Sequence, residues 1–272
     1  MKRSDRNSAG GPRIPAGATN EANCPTGASA AEFIPHTASL AVLREAVSNC
    51  RGCPIYCNAT QGVFGEGPKD ATVMFVGEQP GDQEDRAGKP FVGPAGKMLN
   101  DGMEQAGIPR DEVYVTNAVK HFKWEPRGTR RLHSKPSARE VGACRPWLET
   151  EIRLVKPALI VCLGATAAQS LLGAAFRITK QRSLMITDTP WAPAVTATYH
   201  PSALLRIPDE AGREKAFGEF VDDLKKVAKA MKTLVKGQGK PAQSKGHADV
   251  TSEVHPSLFG DDARPTPRGR HA

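Results

Sequence analysis

The chain has 272 residues, 39% of them hydrophobic and 24% charged, and a formal net charge of +8. These proportions suit a globular protein of one large or two small domains. No apolar run approaches the roughly 18 residues of a membrane helix, and no apolar stretch follows the basic N-terminal residues, so neither a membrane span nor a secretory leader is expected and the expected compartment is the cytoplasm.

In chain order, residues 1–38 are rich in Pro, Gly, Ala, Ser, Thr and Asn and lack periodic apolar positions, and are expected to be a disordered tail. Residues 39–235 form the expected globular domain, and residues 236–272 read as a second, basic tail. Leu40–Ser48 has the pattern of a short amphipathic helix. Strands are expected at Thr72–Val76, Glu112–Thr116, Ala158–Leu163 and Ala194–Thr198. Helices are expected at Ala95–Ala106, stopped by Gly107, and from the capping box Ser137-Ala-Arg-Glu140 to Leu154, closed by Pro157. Two more are expected at Ala165–Leu172 and Arg213–Leu234. Strands alternating with helices imply parallel pairing with right-handed crossovers, hence a three-layer α/β/α fold around a four-stranded parallel sheet. Working residues of such sheets gather at the carboxyl ends of the strands. That rule selects Gly77–Gly81, Asn117, Gly164 and His200-Pro-Ser202.

Charge is concentrated. Lys120–Arg139 carries seven basic residues against Glu125 alone, and it contains Phe122 and Trp124. A basic patch with aromatic rings is the footprint of a polyanion site, although a solvated loop has the same composition. Six cysteines in a cytoplasmic chain argue against a disulfide framework and for metal binding, redox chemistry or core packing. Alone, Gly77-Glu-Gln-Pro-Gly81 is readable as a turn with incidental acids, Phe91 as a core ring and His200 as a loop histidine.

Together these elements resemble the uracil-DNA glycosylase superfamily, and within it the iron–sulfur family 4 enzymes. The resemblance rests on Cys50-x-x-Cys53, the Gly77–Gly81 motif, Pro90-Phe-Val-Gly-Pro-Ala-Gly96, Val115-Thr-Asn-Ala-Val-Lys120, Cys144 ahead of Trp147-Leu148, and His200-Pro-Ser-Ala-Leu-Leu-Arg206. Gln79 and the stretch Thr129-Arg-Arg-Leu-His133 look like the UdgX group, with Thr for the usual Lys and Leu for Ile. The resemblance implies that Phe91 stacks on an extruded uracil, Asn117 pairs with its polar edge, and backbone near Gly77 and Gln79 shapes the pocket. It implies that His200 donates to uracil O2 and that Glu78 stabilises charge at the sugar. His133 would then bond to C1′ and keep the product on the protein; the alternative is an ordinary family 4 glycosylase with multiple turnover. Arg127, Arg130, Arg131 and Lys135 are expected on the DNA backbone, with Arg130 and Arg131 also holding His133 neutral. The implied cofactor is a [4Fe–4S] cluster on Cys50, Cys53, His121 and Cys144, with Cys162 as rival to His121 and Cys57 behind it. The expected partner is uracil-containing DNA, single- or double-stranded, met by a monomer with no membrane contact.

Overall fold

A computed structural model describes residues 29–238 together with Cys24, Thr26 and Gly27, the last four residues by backbone alone. The readings of residues 1–23 and 239–272 as tails lie outside the described residues. The central sheet has four parallel strands, β1 (Val73–Gly77), β2 (Val113–Asn117), β5 (Leu159–Leu163) and β6 (Ala194–Thr198), in the order β2-β1-β5-β6. Each lies within one residue of its expected position. All are buried along their whole length, which is why they read as apolar runs as much as alternations.

Period-two geometry sends alternate residues to opposite faces. Val73, Phe75, Val115 and Val161 meet α3 (Pro94–Ala106) and α8 (Glu210–Gln238) on one side. Met74, Val76, Tyr114 and Ile160 meet α4 (Ala138–Val155) and α5 (Gly164–Leu172) on the other. Both sheet edges are covered by isolated antiparallel bridges, Glu66 to Val115 on β2 and Ile186 to Val195 on β6. A third cluster packs α1 (Leu40–Val47) and Trp147 around Cys50, Cys53 and Cys144.

Four regions depart from the expectations. Ordered structure begins before residue 39: Ala30–Phe33 forms a 3-10 turn, and Ala30 packs where a Cβ on Gly52 would come within 2.5 Å of its backbone nitrogen. The missing side chain at Gly52 admits this segment, a contact that tail composition cannot reveal. Residues 82–87 form a helix, α2 (Asp82–Ala87), where a turn was expected. The basic stretch contains an antiparallel hairpin, β3 (Trp124–Arg127) and β4 (Arg130–His133), turning at Gly128 in the left-handed region at φ 59°. The last helix also runs past residue 235, to Gln238. Two short helices, α6 (Ile178–Gln181) and α7 (Pro201–Leu205), complete the fold. Among the described residues no helix is long and apolar enough to cross a membrane.

Candidate active site

Strand order reverses between β1 and β5, and the crevice outside the carboxyl ends of such neighbours is where ligands bind in open α/β sheets. A cavity of about 770 Å³ opens there. Glu78 follows β1 directly, and Thr166 is the third residue of α5. The Thr166 hydroxyl donates to Glu78 Oε2, spanning the reversal point. Glu78 Oε1 lies 3.2 Å from Nε2 of His133 at the end of β4. Burial acts to raise the Glu78 carboxyl, but hydrogen bonds from His133 and Thr166 and the nearby imidazoles outweigh it, so the group lies below the ordinary carboxylate range.

His200 caps α7, and its Nδ1 accepts the Ser202 backbone N–H at 3.1 Å. That bond assigns the neutral ring its proton on Nε2, leaving an N–H donor. Burial pushes the His200 pKa down to about 4, with Arg206 and His133 adding to the shift and Glu78 opposing it. Ring centroids of His200 and Phe91 are 6.4 Å apart at 30°. A half-buried, neutral N–H donor beside an aromatic face suits a planar polar ligand.

Two glycines bring these groups together. A Cβ on Gly77 would fall 2.3 Å from Asn117 Oδ1 and 2.7 Å from Phe91 Cζ. Phe91 has φ 56°, a conformation costing a non-glycine residue on the order of 1–3 kcal/mol. It fits because a Cβ on Gly96 would lie 1.8 Å from the Phe91 carbonyl oxygen. Glu84 fixes the flanks, accepting from the Gly81 N–H with one carboxylate oxygen and from the Gly93 N–H with the other, at the starts of α2 and α3.

Side chains hold the hairpin to this crevice. Buried Gln79 donates to the carbonyls of Lys123 and Ser134, both at 3.1 Å, and accepts the Lys123 N–H, clasping the residues that flank β3 and β4. Arg131 faces inward, 2.5 Å from Asp82 Oδ1 and 2.6 Å from Asp85 Oδ2 on α2, with its guanidinium also over the rings of Phe122 and Trp124. The expectation that Arg131 offers its charge to DNA is therefore corrected, because two carboxylates already hold it. The carboxylate beside His133 is that of Glu78. Lys120 pairs with Glu151 and Lys123 with Glu140, so three of the seven cations in the basic stretch are matched by carboxylates outside it. Arg127, Arg130 and Lys135 are exposed, as is His133, whose side chain is 43% accessible.

The sequence profile of the uracil DNA glycosylase superfamily matches residues 64–225. The chain belongs to the uracil DNA glycosylase superfamily. Its relatives include the type-4 uracil-DNA glycosylase of Thermotoga maritima, 40% identical over 166 residues that cover 61% of this chain and 82% of the relative. The type-4 enzyme of Pyrobaculum aerophilum is 35% identical over 67% of this chain and 89% of its own length. That of Archaeoglobus fulgidus is 36% identical over 68% and 89%.

In this member of the superfamily, Cys50, Cys53 and Cys144 share one buried cluster, none of them in a disulfide. Amide donors face their sulfurs: the Lys120 backbone N–H lies 3.2 Å from Cys144 Sγ. Burial raises the Cys50 thiol, while the Trp147 indole N–H and the Gly52 amide pull it back. Trp147 Nε1 is buried without a well-formed acceptor; a metal-bound thiolate at Cys50 would supply a stronger one than a thiol. The donor set of three thiols and their N–H groups thus fits an iron–sulfur cluster. Among the described residues no three His, Cys, Asp or Glu side chains converge tightly enough for a single metal ion; the ligands of a cluster bind different irons and need not converge on one point. His121 is buried directly after Lys120, whose backbone N–H meets Cys144 Sγ. Its imidazole is pushed down to about pKa 4 by burial, with Asp85 opposing the shift. Cys162 sits on β5 in the core facing α4 and α5. Cys57 is bonded to Cys24 in a disulfide, against the expectation that no such bond would be used.

Sequence reasoning missed Thr166, Asp82, Asp85 and the clasping role of Gln79. Thr166 was within reach of the strand-end rule, since it lies three residues past β5. Asp82 and Asp85 are spaced i, i+3 on a helix hidden by the glycines around it.

Proposed function

We propose that this protein excises uracil from DNA and takes the resulting abasic sugar onto His133. The observation that carries this reading is the 3.2 Å contact between His133 Nε2 and Glu78 Oε1 at the mouth of a cavity that Phe91, Asn117 and His200 also line. The base must leave the stack before C1′ can be reached. Phe91 offers a face for the extruded ring and Asn117 an amide for its edge. Negative charge grows on uracil O2 as the C1′–N1 bond breaks, and the Nε2–H of neutral His200 is available to receive it. The Glu78 carboxylate, held ionised by its neighbours, stabilises positive charge at the sugar.

Uracil leaves with the C1′–N1 electron pair. The neutral imidazole of His133 gives its ring-nitrogen lone pair to C1′, forming a C–N bond, and ends as an imidazolium whose remaining N–H lies beside Glu78. Being fixed next to the site removes the entropic disadvantage that His133 would have as a free nucleophile. Exposed Arg127, Arg130 and Lys135 provide phosphate contacts. This reading also assigns Cys50, Cys53 and Cys144 to a [4Fe–4S] cluster, with His121 as the fourth ligand after a local shift. When bound, the cluster supplies a cross-link between the Cys50–Cys53 turn and α4, and no bond-making chemistry.

Incubation with a uracil-containing oligonucleotide should give a protein–DNA band that survives boiling in detergent, with one uracil released per protein. His133→Ala should lose the band. Many uracils released per wild-type molecule with no shifted band would establish an ordinary turnover glycosylase instead.

A further inference from the structure

Lys120 is the most deeply placed cation in the described structure, with its side chain at 0% accessibility. Its ammonium group has three hydrogens and three close acceptors: Thr116 Oγ1 at 2.7 Å, the Asn117 carbonyl at 2.7 Å and Glu151 Oε2 at 2.5 Å. All its donors are used, so the group is locked in position. Glu151 is equally engaged, accepting from the Gly65 N–H at 2.8 Å and from the hydroxyls of Tyr114 and Thr116. Such a pair is a poor device for stability. Desolvating both ions offsets most of their attraction, and uncharged replacements of similar volume are often as stable.

Its geometry suits another task. Asn117 ends β2, and the chain then continues alongside the end of β1: the Ala118 N–H donates to the Gly77 carbonyl and the Val119 N–H to the Glu78 carbonyl. Lys120 holds this segment by donating to the Asn117 carbonyl, while its own backbone N–H rests on Cys144 Sγ. The Asn117 amide is thereby held against the bare face of Gly77 and aimed into the cavity.

We infer that Lys120, clamped by Glu151, is a positioning residue for Asn117 and sets how firmly the site holds a uracil ring. This inference rests on the proposed role of Asn117 in binding the base. The informative variant is Lys120→Met with Glu151→Gln. It removes both charges together, and Gln at 151 still accepts from Gly65 and Tyr114 while its amide donates to Thr116. Lys120→Met alone would leave a buried, unpaired carboxylate and confound folding with function.

The experiment compares wild type, the double variant and Asn117→Ala for inhibition by free uracil and for binding to an oligonucleotide with an inert abasic-site analogue, which has no base to read. The double variant should melt close to wild type and bind the abasic analogue within twofold. Its inhibition constant for free uracil should rise about tenfold, as expected for a misplaced binding group, and Asn117→Ala should show the same selective loss. An unchanged constant in the double variant beside a raised one in Asn117→Ala overturns the role of Lys120. No selective loss in Asn117→Ala overturns the reading of the site itself. A double variant that does not fold shows that the pair serves the fold, and this too overturns the positioning role.

Discussion

The sheet crevice and the β3–β4 hairpin each bring a histidine to the same cavity, but by opposite means. His200 stands at the end of β6, a strand paired along its length and buried on both faces, and its ring is fixed by a backbone N–H. His133 stands at the end of a two-stranded ribbon that would be marginal alone. Side chains tie that ribbon to the domain: the Gln79 clasp, the Arg131 carboxylate grip and the Trp124 indole N–H, which donates to the Asn58 carbonyl at 2.8 Å. In the proposed function the difference separates two tasks: the rigid element would hold the base, and the tethered element would deliver the group that meets the sugar.

Glu78 touches both regions, so its loss should have the largest effect. Glu78→Gln should slow uracil release by about 10²–10³-fold, the scale of removing one oriented electrostatic group, and should abolish capture; single-turnover release measured beside the denaturing-gel band checks both. Arg131→Met should separate the regions. The hairpin loses its grip on α2, and covalent capture should fall about 100-fold, as for a displaced reacting group, while uracil release changes by less than fivefold.

A pH series on wild type beside a His200 variant addresses the crevice. The folded pKa of His200 is about 4, below the usual value of 6.5, so the unfolded chain takes up this proton first as pH falls. The stability contribution is complete above about pH 6.5, is lost between pH 6.5 and 4, and amounts to roughly 3 kcal/mol. Denaturant melts of His200→Asn should show a weaker dependence on pH in that window than wild type. The smallest expected effect sharpens the picture of the hairpin's outer face. Arg127→Ala with Arg130→Ala should reduce the logarithmic salt slope of DNA binding by about 1.4–1.8, two phosphate contacts' worth, whereas a slope lost chiefly in Arg131→Met would mean that its carboxylate partners release it on binding.

The same contrast explains what could be read in the sequence. The four sheet strands announce themselves through local apolar patterning, and the strand-end rule then selects Glu78, Asn117 and His200, which the fold brings to one cavity. The hairpin has no such pattern. Trp124-Glu-Pro-Arg127 and Arg130-Arg-Leu-His133 are mostly polar and exposed, so composition marks only a basic loop. Arg131 points inward because Asp82 and Asp85 wait 49 and 46 residues earlier, a long-range pairing that no local window contains. The Cys24–Cys57 bond, 33 residues apart, escaped for the same reason.

The bridges at the two sheet edges also have a bearing on handling the protein. Glu66 and Ile186 occupy the positions where another molecule's strand could add, and they do so with single residues from irregular segments. Loosening either segment bares a row of unpaired amides on an apolar strand, which is a template for association between molecules. A designer seeking a robust reagent would therefore reinforce these two short pieces of chain first, leaving His133 and His200 untouched.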